Sequence, residues 1–433
     1  MNSINNKKIL KKTMVFCCLF FVFLLVSLFV PMAVYACLLI GVIAVVALPT
    51  DALFCFLLFG YPYANLLAIA PGGFSLFILL ELLSIGILFL RGSFRSIHFP
   101  VLAGLGLLFL IIMFTVDALS DVKYYVLVLK IVLLLYIFVK NYKKNASRYY
   151  FTFFLTSIIL SSIIGLFKLK IDRLLLFFKS DLNYEAIGNV YVMRFSGINP
   201  DPNHYSIPLI LCITVCLLSI FSKQAKYVWI RIAAFLMLVL FGLMTLSKSF
   251  ILIFLVTMFF SFIILAKRSR IRTLCIFIVM LMIGSLLIPK ETVGNMLYRF
   301  MNITNTNVST MNGREAIWNN YITEINSSSF SKWMGHGMQA ALLNGRASHN
   351  IFIEMIYRCG ILGMVVYIGT LISVILSNNK IKSRRGILSY WGFVVIIVQY
   401  CFLSGFTVYD YTYYLMIAYI IFVNSYKEGD VIF

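Results

Sequence analysis

Apolar runs of near-spanning length, separated by short polar connections, repeat along almost the whole chain. Cut at charges and at Pro and Gly breaks, they fall near 14–30, 33–48, 52–69, 75–90, 99–117, 122–139 and 149–167. A second set falls near 204–221, 228–246, 249–266, 272–289, 350–377, 386–404 and 409–424. A bilayer core takes about 20 helical residues to cross. The runs therefore predict about 12–14 transmembrane helices. Two segments break the pattern, 168–203 and 290–349, neither holding an apolar stretch long enough to span. Backbone in lipid must satisfy its own hydrogen bonds, so polar stretches of this length belong in water.

Composition sharpens this reading. Hydrophobic residues make up 62% of the 433 and charged ones 12%, with mean hydropathy +0.99. A soluble globular chain is nearer half apolar and a quarter charged. The fold class is thus all-α and polytopic, one integral membrane domain over 1–433. Met14–Val30 follows a basic start like a signal peptide, but no small-residue cleavage site follows, so it reads as a retained first helix.

The formal charge of +21 would suit nucleic acid, but its placement does not. Lysines and arginines cluster in short connections: Lys7, Lys8, Lys11 and Lys12; Lys140, Lys143, Lys144 and Arg148; Lys267, Arg268, Arg270 and Arg272; Lys380, Lys382, Arg384 and Arg385. None of these patches holds an acidic residue, which is the positive-inside signature of cytoplasmic loops. With the amino terminus inside, 168–203 and 290–349 become two long extracytoplasmic loops. All nine cysteines lie in apolar runs, so neither a disulfide framework nor a cysteine metal site is read here.

Candidate chemistry concentrates in the two long loops. The first ends in Arg194-Phe195-Ser196-Gly197-Ile198-Asn199-Pro200-Asp201-Pro202-Asn203-His204. Asp201 before Pro202 reads as an N-cap with proline at the first helical position. His349-Asn350 opens another helix in the same way, and helix amino ends suit anions. In the second loop, Gly313–Ile325 has helical spacing, with Ile317, Trp318, Tyr321, Ile322 and Ile325 on one face and Arg314 at the start of the polar side. Gly335-x-Gly337-Met338 follows no strand and is not a nucleotide fingerprint. No carboxylate cluster or one-turn histidine pair predicts a metal.

Three motifs resemble the bacterial O-antigen polymerase and O-antigen ligase superfamily. They are Arg194-x-x-Gly197 with Asp201-Pro202-Asn203; Gly313-Arg314-x-x-Ile317-Trp318 with Gly335-His336-Gly337; and His349-Asn350 with Glu354 and Gly360-x-x-Gly363. One departure is Ser247-Lys248-Ser249, where similar proteins often carry Ser-Arg; lysine keeps the charge but not the bidentate fork. The resemblance implies a GT-C-like helix bundle in the bacterial cytoplasmic (inner) membrane, with its active site on the extracytoplasmic side. It implies transfer of an undecaprenyl-pyrophosphate-linked glycan to an acceptor hydroxyl, without metal or other cofactor. A chain-length regulator is a compatible partner; nucleic acid is not.

That chemistry needs fixed positive charge on the pyrophosphate and a base for the acceptor hydroxyl. Arg194 and Arg314 suit the first role and His349 the second. Asn203, Lys248, Asn350, Glu354 and His336 are the candidate substrate-binding residues. The plain alternatives are solvated loop charges for the arginines, a cap or interfacial residue at 349–350, and a polar turn at His336. Glu354 and Arg358, four apart, read as an intramembrane pair, functional or self-neutralising. Glu81 and Lys130 are isolated in apolar runs with no partner legible. Three activities remain open: a polymerase of lipid-linked repeat units, a ligase moving the finished glycan to lipid A core or another acceptor, and a flippase. A flippase would favour inverted repeats and paired broken helices.

Overall fold

The computed structural model describes residues 2–71, 75–92, 97–114, 122–178, 184–187, 190–220, 228–266, 278, 294, 314–338, 340, 342–378, 387–401, 403 and 411–424. The span read at 272–289, apart from a single residue, lies outside them, as do Gly313 and the start of the second long loop.

The helices follow the apolar pattern closely. They are α1 (Asn2–Ser27), α2 (Ala33–Ala47), α3 (Thr50–Gly60), α4 (Leu76–Leu90), α5 (Phe99–Phe114), α6 (Val122–Asn141) and α7 (Ser147–Leu166). A short α8 (Asp172–Phe178) precedes α9 (Pro202–Ile220), α10 (Val228–Met244) and α11 (Lys248–Ala266). Then come α12 (Arg314–Ile325), α13 (Ser329–Met334), α14 (Ile351–Leu376), α15 (Trp391–Tyr400) and α16 (Thr412–Asn424). Among the described residues, 5 helices are long and apolar enough to cross a membrane, and shorter apolar helices accompany them. The chain is a multi-pass membrane protein.

One expectation is corrected. The run at 52–69 is not one α-helix: α3 stops at Gly60 and the chain tightens into a 3-10 helix, Tyr61–Leu67, where Pro62 lacks the N–H a continuing α-helix would use. At about 1.5 and 2.0 Å rise per residue the two pieces together still cover roughly 30 Å. The first long segment has structure of its own. It holds α8 and a hairpin of β1 (Tyr184–Ile187) and β2 (Val190–Met193), antiparallel with Tyr184 opposite Met193. These two strands are the one departure from an all-α architecture among the named elements.

Burial explains which helices sit in the middle. From Tyr205 to Ile220 every residue of α9 is buried, as is nearly all of α16. A helix apolar on every side is satisfied by neighbours on every side. α9 packs on α10, α11, α15 and α16, and α14 packs on α5, α6, α12 and α13. Polar groups inside the bundle find one another. Lys130 Nζ of α6 lies 2.5 Å from Glu81 Oε2 of α4, both side chains 1% exposed. The two residues that looked isolated along the chain are thus partners.

Candidate functional site

The first long segment ends as a loop moulded onto the turn between α10 and α11. Phe195 N–H donates to the Met244 carbonyl at 2.9 Å, and its ring stacks on Phe241 with centroids 5.3 Å apart. Arg194 is buried; its Nε donates to the Thr245 carbonyl at 3.0 Å and an Nη to Asn203 Oδ1 at 2.8 Å. Gly197 has φ +54° and lies against the Tyr205 ring, where a Cβ would collide. Gly165 at the end of α7 lies equally close to the Gly197 backbone. Both glycines are therefore required for this close approach.

Asp201 caps α9 as its sequence foretold, accepting from Asn203 N–H at 2.8 Å, and it sits 3.9 Å from His204 Nε2. Asn203 thereby joins the cap to Arg194. Sequence reasoning missed Lys168. Its ammonium is buried, donates to Ser196 Oγ at 2.9 Å and lies over the Phe178 ring. Burial lowers its pKa to about 8. A lysine just beyond an apolar run looks like an ordinary flanking charge, so nothing local marked it.

The second segment is clamped by α12. Trp318 Nε1 donates to the Ser348 carbonyl at 2.7 Å and the Tyr321 hydroxyl to the Arg346 carbonyl at 2.9 Å. Tyr321 and Ile325 are buried as the helical face predicts, but Ile322 is 46% exposed. These bonds fix the strand of chain entering His349. Asn350 then caps α14, its Oδ1 accepting from Phe352 N–H at 3.0 Å and Ile353 N–H at 3.2 Å. His349 itself has φ +52°, a left-handed backbone that a side chain adopts at a cost. Leu246, beside the Arg194 anchor, has φ +50°.

His349 is where the two segments meet electrostatically. Burial lowers its pKa, Arg314 lowers it further, and Asp201 pulls in the opposite direction. Arg314 opens α12, and burial lowers its pKa as well, though not its standing as a cation. Lys248 begins α11, one turn from the Thr245 carbonyl that holds Arg194. His349 is thus within charge range of Arg314 and of Asp201, which lies in the loop that carries Arg194 and Asn203. A base beside a fixed cation can accept a hydroxyl proton while the cation meets an anion.

The remaining candidates sit in a joint. Gly360, with φ +69° and ψ 177°, breaks α14, and its missing Cβ leaves room for the Trp333 carbonyl. The interruption frees the carbonyls of Tyr357 and Arg358, which accept from His336 N–H at 2.8 Å and Gly337 N–H at 3.0 Å. Arg358 donates to the Met338 carbonyl and pairs with Glu354 at 3.1 Å. His336 Nε2 lies 3.2 Å from the Glu324 carbonyl, with its ring against Tyr357. The Gly-His-Gly motif thus docks α13 onto the kink. Among the described residues, no group of three or more His, Cys, Asp or Glu could hold a metal ion.

Fold and contacts define a multi-pass membrane protein in which His349 lies within electrostatic range of Arg314 and of Asp201, the cap of α9. Residues 232–368 match the Wzy_C family model, described as O-Antigen ligase. The match supports membership of the O-antigen ligase and polymerase superfamily and implies a glycan-transferring enzyme of that kind. It runs from α10 into α14, taking in Lys248, Arg314, His336, His349, Asn350 and Glu354 but not Arg194 or Asn203. No curated protein matches the chain.

Proposed function

We propose that the chain polymerises undecaprenyl-pyrophosphate-linked oligosaccharide repeat units on the extracytoplasmic side of the bacterial inner membrane. The acceptor sugar hydroxyl attacks the anomeric carbon of the donor. A new glycosidic bond forms, the bond to the pyrophosphate oxygen breaks, and undecaprenyl pyrophosphate leaves as an anion. His349 takes the hydroxyl proton. Arg194 and Arg314, with Lys248, meet the charge that develops on the pyrophosphate. Asn203 orients Arg194, Asn350 holds the helix end beside the base, and Glu354 and His336 hold the joint beneath it.

The observation that carries this reading is the placement of His349 at the capped start of α14, within electrostatic range of Arg314 and Asp201; burial and Arg314 lower its pKa, which favours the neutral, proton-accepting imidazole. The family description favours a second reading, a ligase transferring the finished glycan to lipid A core or another acceptor. Purified full-length protein given donor alone, with a chelator and without ATP, separates these. A polymerase lengthens the lipid-linked chain, a ligase waits for a foreign acceptor, and a flippase moves units between leaflets without changing their size. His349→Ala should stop transfer while donor still binds. Unchanged chain length in a preparation that binds donor would overturn the polymerase reading.

A further inference from the structure

Lys168 lies two residues past the end of α7, where a flanking lysine ordinarily keeps its ammonium in water. This one turns inward and is 3% exposed. Its Nζ donates to Ser196 Oγ at 2.9 Å and sits 5.8 Å from the centre of the Phe178 ring on α8. Among the described residues no carboxylate forms an ion pair with it. Lysine is almost never fully buried without a partner, because one hydroxyl and one ring only partly replace the lost hydration. Ending a helix does not require that cost. Holding Ser196 explains it.

Ser196 stands two residues from Arg194, and its neighbour Gly197 touches the backbone of Gly165 in α7. Lys168 N–H donates to the Gly165 carbonyl at 3.2 Å, so glycine and lysine belong to one turn. The end of α7 thus grips the loop twice, by backbone contact and by the ammonium. From the other side, Phe195 N–H and Arg194 Nε are tied to Met244 and Thr245 between α10 and α11. Arg194 is held between two supports, and one of them depends on a charge. We propose that Lys168 is a positioning residue for Arg194, its charged bond to Ser196 fixing the loop so that the guanidinium meets the pyrophosphate. The inference rests on the clamp of the preceding section and adds a residue outside the matched 232–368.

The other titratable or charged groups on the elements around Lys168 are Lys170, Asp172 and Arg173, Arg194 and Asp201, and His204 and Tyr205. Arg173 donates to the Leu66 and Ala68 carbonyls, and Tyr205 shares a hydrogen bond with Ser162. Burial is what lowers the Lys168 pKa, to about 8. Below that value the ammonium makes a charge-assisted bond, about twice as strong as a neutral one. Above it the amine bonds weakly and loses its attraction to the ring. The grip on the loop therefore slackens on the alkaline side.

The test measures binding of undecaprenyl pyrophosphate without glycan to the full chain in nanodiscs of phosphatidylglycerol and phosphatidylethanolamine, a readout that needs no chain extension. Lys168→Met and Ser196→Ala should each weaken binding about tenfold, and the double variant no further, since both break one bond. Ser196→Ala also keeps the question open should Lys168→Met fail to fold. In an Arg194→Ala background Lys168→Met should add nothing, which a merely structural role would not produce. Wild-type binding should weaken between about pH 7 and 9, and that of Lys168→Arg, whose guanidinium stays charged, should weaken less. Wild-type affinity in both single variants, additive losses with Arg194→Ala, or the same pH profile in Lys168→Arg would overturn the inference while leaving the clamp. A wild-type protein that binds no pyrophosphate lipid would overturn both.

Discussion

Arg194 and Asn203 are joined across the Asp201–Pro202 turn, the guanidinium donating to the amide oxygen at 2.8 Å while the same residue's backbone is capped by Asp201. The arginine is therefore aimed by two anchors, Asn203 and the Thr245 carbonyl. Arg194→Ala should abolish polymer, and Arg194→Lys should restore only part of it, because a point charge cannot reach both anchors. Asn203→Ala should lower turnover about tenfold or more with the protein still present in the membrane, the effect of a charge no longer held in place. Gel analysis of product length checks all three, and full activity in Arg194→Ala would remove the charge from the mechanism.

The pH dependence follows from His349. Its active form is the neutral imidazole, and burial with Arg314 lowers its pKa from the usual 6.5. Activity should hold through neutrality and fall on acidification with a midpoint below that value. Arg314→Gln removes a lowering influence and should move the midpoint up; Asp201→Asn removes a raising one and should move it down. Residual activity profiles of the two variants check the signs. Identical midpoints would dissociate His349 from the acid limb.

The Glu81–Lys130 pair tests the bundle without touching the site. Removing one partner leaves a buried charge uncompensated, a cost of about 3–5 kcal/mol. Lys130→Met or Glu81→Gln alone should sharply reduce folded protein in the membrane. The double variant should recover much of it, since two apolar or neutral groups of similar volume replace the pair. Fluorescence-detected size exclusion reads the outcome, and additive losses in the double variant would show that the two do not act together.

Membrane orientation is checked by single cysteines in a cysteine-depleted background. Cysteines at Ser180 and Ser327 should react with an impermeant thiol reagent in intact cells, and cysteines at Ser222 and Ser383 should not. The reverse pattern would invert the bundle and move the site to the cytoplasm.

What the chain showed in advance was mostly local. The Asp201 cap and its proline, the Asn350 cap and the α12 face depend on residues within a turn or two, and their patterns are visible in order. The 3-10 continuation at Pro62 had a local signal too, a proline within an apolar run, which reads as a break in α-helix. Pairings across the bundle had none. Lys130 meets Glu81 only because α4 packs on α6, and Arg194 meets Thr245 only because one loop folds onto a distant turn. Periodicity says that a face is buried, never against what. The Gly335-His336-Gly337 motif shows the same limit: its glycines serve positive φ and backbone contact with the α14 kink, a partner no local pattern names.

The left-handed backbone at His349 has a consequence for how this position would drift under different selections. Glycine adopts φ near +52° freely, and asparagine, whose short side chain can bond locally, visits that region routinely. A library of variants screened for thermal resistance alone should therefore replace His349 with glycine or asparagine. A library screened for polymer should return histidine and tolerate the conformational cost. Sorting one library both ways would turn a single dihedral angle into a measurable conflict between durability and turnover.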